Sequence, residues 1–446
     1  MRLLKLSFFL FLICCFFSKA QSIYVLDKGV TSQKIRFELV NNVIIIPVEI
    51  NGLPLKFLLD TGVSKPIVFN FLKASDSLKV LHAEKIKLKG LGDGDYIDAL
   101  RSSHNTFKIG NAVNTDQTFF AIFDPSVNFA PKLGIAIDGI IGYDLFKDFI
   151  VEINYSNRFI RLHKPDKYSY KDCKKCETFN LEFNNNKPYV NAEVLTDGHE
   201  ISVKMLIDTG SSDAIWLFED AEKNLTLSKN YFYDFLGSGL SGNVYGKRTK
   251  IDALKLKRFM LENPKAAFPD SVTIASVKKF KDRDGTLGGE ILKRFNSIID
   301  YTNSKLTLKP NHFFNKKFSY NKSGLQVEHD GVRLVMEIDM SNNVATINQN
   351  KATSELEVKS VIANAYKYTI KPSYVIYNII KDSPADLAGL QKGDIIYRIN
   401  GNGTQDMTLK NLVGHFYQKE GTKIKLLVDR NGKTMKFEFL LQSPIK

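Results

Sequence analysis

Short apolar runs broken by Gly, Asn and Asp dominate the chain beyond its first twenty residues, and the runs fall in pairs. Ile44-Ile45-Ile46-Pro47-Val48-Glu49-Ile50 leads through Asn51-Gly52 into Phe57-Leu58-Leu59-Asp60. Tyr189-Val190-Asn191-Ala192-Glu193-Val194 leads through Asp197-Gly198 into Ile201–Ile207 and Asp208. Each pair reads as a hairpin with a Gly-containing turn. A second apolar strand follows in each case, Pro66-Ile67-Val68-Phe69 and Ala214-Ile215-Trp216-Leu217-Phe218, and then a glycine-rich hairpin. Helical signals are few: Asp144–Phe149, Glu290–Phe295 and an amphipathic stretch around Met407–Tyr417. A mostly β protein is expected.

The pairing extends into an internal repeat. Phe57-Leu58-Leu59-Asp60-Thr61-Gly62 and Met205-Leu206-Ile207-Asp208-Thr209-Gly210 are apolar runs that each deliver one carboxylate at a strand end, where a tight turn needs a small residue. The hairpin glycines Gly90, Gly92 and Gly94 correspond to Gly237, Gly239 and Gly242; Gly92 lies 32 residues after Asp60, and Gly239 lies 31 after Asp208. Asp138-Gly139-Ile140-Ile141-Gly142 parallels Asp284-Gly285-Thr286-Leu287-Gly288, and strands containing Ile153-Asn154-Tyr155 and Ile299-Asp300-Tyr301 close the two lobes. From about His312 the pattern changes. Strands at Tyr374–Ile380, Asp394–Ile399 and Lys423–Val428, with the Met407–Tyr417 helix, predict a separate α+β domain, interrupted by a polar insertion at Ser341–Lys359. The expected division is a signal peptide over 1–20, lobes over 21–170 and 171–312, and the last domain over 320–446.

The amino terminus explains the one long apolar run. Arg2 and Lys5 precede Leu6–Phe17, and Ser18-Lys19-Ala20 offers small residues for a signal peptidase. The run is short for a bilayer crossing of about 20 residues, so the expectation is export to the periplasm or the extracellular space, with no stable membrane span afterwards. Cys173 and Cys176 then remain, and in an oxidising compartment they most simply close a local disulfide. A redox role wants a helix start and zinc wants a second pair of ligands; neither is visible. Removing Arg2, Lys5 and Lys19 lowers the formal charge from +14 to +11. The lysines are scattered through every segment, which reads as a solvated basic surface and excludes a nucleic-acid footprint.

Two carboxyl groups brought together by two similar lobes can activate water, because like charges a few ångströms apart cannot both be ionised and one proton is shared. Asp60 and Asp208 are the candidate pair. Thr61 and Thr209 are expected to be buried hydroxyls tying the two loops together, while Gly62 and Gly210 let backbone amides reach the carboxylates. At this point the sequence resembles the aspartic proteases, of which pepsin and the retroviral proteases are representatives. The resemblance covers about Arg36 to Pro310 and rests on the two Asp-Thr-Gly strands, Ser211-Ser212, the glycine-rich hairpins and the Ile140-Ile141-Gly142 and Thr286-Leu287-Gly288 elements. It implies a bilobal fold, an endopeptidase without metal or cofactor, a protein or peptide substrate, and hairpin flaps carrying Gly92, Gly94, Gly239 and Gly242. Two departures stand out. Val63 occupies the position that Ser211 takes beside the second aspartate, so the carboxylates should be unequally hydrogen-bonded, and both lobes carry a flap, as in a fused retroviral-type dimer.

The stretch Val375–Gly401, with Ser383-Pro384-Ala385, Ala388-Gly389-Leu390, Gly393-Asp394 and Ile399-Asn400-Gly401 in that order, resembles a PDZ domain. That resemblance implies a groove that adds a partner's carboxy-terminal tail as a strand. Gly324, Leu325, Gln326 and Val327 look like its carboxylate-binding loop, with Gln326 in place of the usual glycine.

Overall fold

A computed structural model describes residues 22–69, 82–125, 127–274, 283–338 and 366–445. The expected signal peptide and the Ser341–Lys359 insertion lie outside the described residues. The chain is mostly β, and its contacts divide it into two units, one of Met1–Phe129 with Ala136–Ser319 and one of Ala130–Ile135 with Tyr320–Pro444.

The first unit contains both lobes. In the first, Val43–Ile50 pairs antiparallel with Leu53–Leu59, whose end is joined in parallel by Gly139–Ile141. The second repeats this with Lys187–Thr196, His199–Ile207 and Gly285–Leu287. The glycines that open the parallel strands are there for space: a Cβ on Gly139 would stand 2.5 Å from the Phe57 ring, and one on Gly285 would stand 2.1 Å from the Trp216 carbonyl oxygen. A third, six-stranded sheet joins the lobes, with Ile150–Asn154 of the first lobe running antiparallel to Phe295–Asp300 of the second. One apolar core runs through both lobes and includes Phe57, Leu59, Phe107, Ile207, Leu287 and Phe295, all buried. Truncating one of those phenylalanines to alanine would cost about 3–5 kcal/mol. The short helices begin one residue earlier than the sequence pattern predicts and stop sooner, at Tyr143–Phe146 and Gly289–Leu292, because Phe149 and Phe295 are buried at the entry to the next strands. Cys173 and Cys176 are joined by a disulfide.

The second unit is a sheet in the order Leu325–Ile338, Tyr366–Ile379, Ile395–Ile399, Lys423–Arg430 and Lys433–Leu440, with helices Pro384–Leu387 and Leu409–Gly414. The predicted Met407–Tyr417 helix is α only over Leu409–Gly414, capped by the Thr408 hydroxyl accepting from the Asn411 N–H, and then tightens to a 3₁₀ turn at His415–Tyr417. Asp394 is wholly buried and satisfied by the Arg430 guanidinium at 2.7 and 2.8 Å and by the Gln391 N–H.

Candidate active site

Each aspartate follows the last residue of a buried strand and has its N–H taken by the neighbouring parallel strand: Asp60 donates to Ile141 O at 2.8 Å and Asp208 to Leu287 O at 3.0 Å. The Asp-Thr-Gly turns then meet face to face. The Thr61 hydroxyl donates to Ile207 O at 2.6 Å and accepts the Thr209 N–H at 3.1 Å; the Thr209 hydroxyl donates to Leu59 O at 2.8 Å and accepts the Thr61 N–H at 3.1 Å. These four reciprocal bonds are fully buried, with Thr61 and Thr209 almost inaccessible to solvent. They hold two carboxyl-bearing loops against each other in a place where an unpaired hydroxyl would be costly.

The two carboxyl groups converge on the same turn: a Cβ on Gly62 would lie 2.9 Å from Asp60 Oδ1 and 3.6 Å from Asp208 Oδ1. The loops approach so closely that a Cβ on Gly210 would stand 2.3 Å from Asp60 Cγ. Only glycine fits at these two positions. The backbone amides then reach inward: Gly62 N–H donates to Asp60 Oδ1 at 2.6 Å, and Gly210 and Ser211 N–H donate to Asp208 Oδ1 at 3.0 and 3.1 Å. The Val63 N–H turns to the Asp60 carbonyl at 3.3 Å instead. The expected inequality between Val63 and Ser211 is present, carried by the backbone N–H. Burial, followed by the neighbouring Asp208 charge, pushes the Asp60 carboxyl up to about 8, against the opposing pull of the Gly62 N–H and the Lys187 charge.

The glycine-rich hairpin tips of the two lobes meet as well. The first-lobe tip between Glu84–Leu88 and Ile97–Ile109 clasps the tip of the Phe232–Gly239 and Gly242–Lys250 hairpin. Gly90 N–H donates to Ser241 Oγ at 2.8 Å, Gly94 N–H to Ser241 O at 2.6 Å, Ser241 N–H to Leu91 O at 2.9 Å, and Asn243 N–H to Asp93 Oδ1 at 2.9 Å. Close approach again excludes side chains, since a Cβ on Gly92 would lie 2.6 Å from Ser241 O and one on Gly239 would lie 2.1 Å from Leu91 O. Gly94 and Gly242 sit at the same contact. Leu91 packs on a small cluster of Trp216, Leu236, Val244 and Ala267 in the second lobe, and Arg248 ties Asp213 to Asp234 beside it.

Several groups around the pair are invisible to motif reading. Lys187, Tyr189, Arg283 and Tyr301 all interact electrostatically with one or both aspartates. Matching the repeats residue by residue would have flagged Lys187, because Asn185-Asn186-Lys187 stands where the first lobe has Asn41-Asn42-Val43. Among the described residues no cluster of His, Cys, Asp and Glu is arranged to hold a metal ion.

In the second unit, Gly324 has φ +81° and a Cβ there would collide with Ser383 Oγ at 2.0 Å. Leu325 N–H already donates to Ser323 Oγ at 3.0 Å, and the Gln326 side chain accepts from Asn378. The Ala130–Ile135 segment lies against this domain: a Cβ on Gly134 would be 2.9 Å from Leu409 Cβ, and the Lys132 ammonium sits 5.3 Å over the Tyr377 ring.

Residues 46–145 and 190–291 match the aspartyl protease family, and residues 375–430 match the PDZ domain. The chain thus carries an aspartyl protease domain in two segments followed by a PDZ domain. Among curated proteins it is 30% identical over 117 residues to a probable periplasmic serine endoprotease DegP-like of Pseudomonas savastanoi pv. phaseolicola, covering 24% of each chain. It is 35% identical over 54 residues to a probable CtpA-like serine protease of Staphylococcus saprophyticus subsp. saprophyticus, covering 12% of this chain and 11% of that one. The chain therefore spans a quarter or less of the length of these relatives. No helix among the described residues is long and apolar enough to cross a membrane.

Proposed function

We propose that this chain is an exported aspartic-type endopeptidase whose PDZ domain recruits or positions a protein substrate. The observation that carries the reading is the pair of carboxyl groups from two equivalent strand ends, converging beside Gly62 and braced by reciprocal threonine bonds. Such a pair supplies both parts of peptide hydrolysis. The ionised carboxylate takes a proton from water as its oxygen attacks the carbonyl carbon, and the protonated one gives its proton to the carbonyl oxygen; general acid–base catalysis of this kind is worth about 10²–10⁴-fold per group. The clasped flaps provide a roof under which an extended peptide is held and bulk water excluded.

The printed names of both curated relatives describe serine proteases. Among the described residues, His104 and His163 hydrogen-bond to Asp116 and Glu152, and the match over both lobes is to the aspartyl protease family, which favours the aspartates. The amino-terminal pattern supports export, in the same sense as the periplasmic relative. Asp60→Asn and Asp208→Asn should each abolish cleavage of an unfolded protein while leaving the circular dichroism spectrum unchanged. Retained cleavage in either variant rejects the assignment.

A further inference from the structure

In the second unit the strands Leu325–Ile338 and Tyr366–Ile379 run on past the rest of their sheet as a two-stranded ribbon. Val332-Arg333-Leu334-Val335-Met336-Glu337-Ile338 and Tyr366-Lys367-Tyr368-Thr369-Ile370-Lys371-Pro372 alternate with period two, so each strand sends apolar side chains to one side and mostly polar ones to the other. The register lays the two apolar stripes side by side. Leu334 stands opposite Ile370, Met336 opposite Tyr368 and Ile338 opposite Tyr366, and directly opposed residues share a face. Among the described residues no third strand pairs with 366–372; the next strand of the sheet, Ile395–Ile399, joins at Val375.

The polar face is the one held against the domain. Lys371 donates to Asp406 Oδ1 at 3.1 Å and bridges to Glu337 at 2.9 Å, an Nη of Arg333 donates to Gln405 Oε1 at 3.3 Å, and the Arg333 guanidinium lies 4.4 Å over the Tyr397 ring. The apolar face is turned to water: the side chains of its three pairs belong to residues between 52% and 72% exposed. Burial within one chain would give the reverse orientation. A contiguous apolar patch of this kind marks an interaction surface, and a lone two-stranded ribbon is marginal in water until such a face is covered.

We propose that this face packs against the same face of a second copy of the chain, ribbon on ribbon, in a two-fold dimer. None of the six side chains carries a charge, so two copies of the face meet without burying one. Together they offer on the order of 600 Å² from each copy, about 1,200 Å² for the pair, within the range of stable, specific interfaces. The isologous contact closes on itself and leaves no apolar strip for a third copy. A lipid surface fits less well, because it would place the unpaired N–H and C=O groups along the open edges of the ribbon in hydrocarbon, where they find no partner. Against a second ribbon, with the two sheets about 10 Å apart, both edges stay in water.

Sedimentation velocity on the purified full chain, over about 1–100 μM because interfaces of this order bind at micromolar affinity or better, reads the mass directly. The wild-type protein should sediment at twice the chain mass. Leu334→Lys combined with Tyr368→Lys puts two ammonium groups into the face and should halve that mass; both positions are exposed in the single chain, so the circular dichroism spectrum should not change. Lys367→Ala, on the opposite face of the ribbon, should keep the doubled mass. A wild-type chain that stays at single mass across the range overturns the proposal, and so does a dimer that persists in the double variant, since the contact then lies elsewhere. Single-mass protein that co-sediments with phosphatidylglycerol vesicles, and loses that binding in the double variant, would overturn it in favour of a lipid surface.

Discussion

The two lobes build the same frame around each aspartate and line it with different charges. Lys56 and Lys204 occupy equivalent strand positions, each donating its backbone N–H to Asp138 or Asp284 at 2.8 Å and its ammonium to Glu38 or Glu182 at 2.9 and 2.8 Å. The threonine bonds and the N–H bonds from the aspartates to the parallel strands are equally matched. The side chains near the carboxyls differ: Lys187 and Arg283 interact with the aspartates from the second lobe, where the first lobe has Val43 and Ile137, and Val63 takes the position of Ser211. Backbone geometry needs both halves alike to close the turns. Acid–base chemistry needs only that the two carboxyls share one proton, which their proximity enforces whether or not their surroundings match.

The largest effect that would break this comparison is loss of either aspartate. Asp60→Asn and Asp208→Asn should each lower kcat/KM by at least about 10³-fold, and their stability profiles should diverge. Asp60 is raised above its unfolded value, so the stability gained by keeping it protonated is complete below about pH 4 and is lost as pH climbs toward about 8. Asp60→Asn removes that loss. Urea unfolding at pH 5 and pH 8 checks it: a pH dependence that survives in Asp60→Asn would mean another group is responsible.

The threonines come next, and here the lobes should behave alike. Thr61→Val and Thr209→Val each remove a donor and an acceptor from a buried network, leaving a backbone N–H unpaired at a cost of about 1–3 kcal/mol. Because the four bonds are reciprocal, the double variant should cost less than the two single costs added together. Strict additivity in denaturant unfolding would show that the two loops are not coupled.

How much of this was legible in the sequence depends on range along the chain. The Asp-Thr-Gly turns, the Asp-Gly parallel strands and the hairpins were readable because their signals are local: apolar runs, turn glycines and fixed offsets. The hairpin glycines were visible as well, yet nothing local shows that Gly90 and Gly94 bond to Ser241, a contact across 151 and 147 residues. Lys187 was missed for a different reason. It lies in an ordinary polar turn, Asn184-Asn185-Asn186-Lys187, with no local signal of its interaction with Asp60 and Asp208. Helix lengths were overestimated where a buried phenylalanine, Phe149 or Phe295, reads equally well as helix or strand.

The clasp between the two hairpin tips, the proposed flaps, sharpens the comparison from the other side, since the tips contribute unequally. Ser241 alone receives and returns bonds to Gly90, Leu91 and Gly94. Ser241→Ala removes the hydroxyl that accepts the Gly90 N–H and keeps the backbone bonds, so it should weaken closure by about 1 kcal/mol, read as a several-fold rise in KM with kcat little changed. Equal falls in both parameters would instead tie the serine to the chemistry.

The smallest expected effect asks whether the charge difference between the lobes extends beyond the site. Asp138 and Asp284 hold equivalent strand ends, but Asp284 is nearly buried and also accepts the Lys223 ammonium at 2.6 Å. An asparagine in either place keeps an oxygen for the backbone N–H of Lys56 or Lys204, so the frame should survive in both variants. In Asp284→Asn, however, the amide replaces a charge that faces an ammonium, and the buried end of that pair is poorly screened while the lysine end is half exposed. Asp284→Asn should therefore cost more than Asp138→Asn by about 0.5–1 kcal/mol, with the gap narrowing in 1 M salt, where the screening length falls to about 3 Å. Equal costs at low salt would confine the electrostatic divergence of the lobes to the residues that face the two carboxyls.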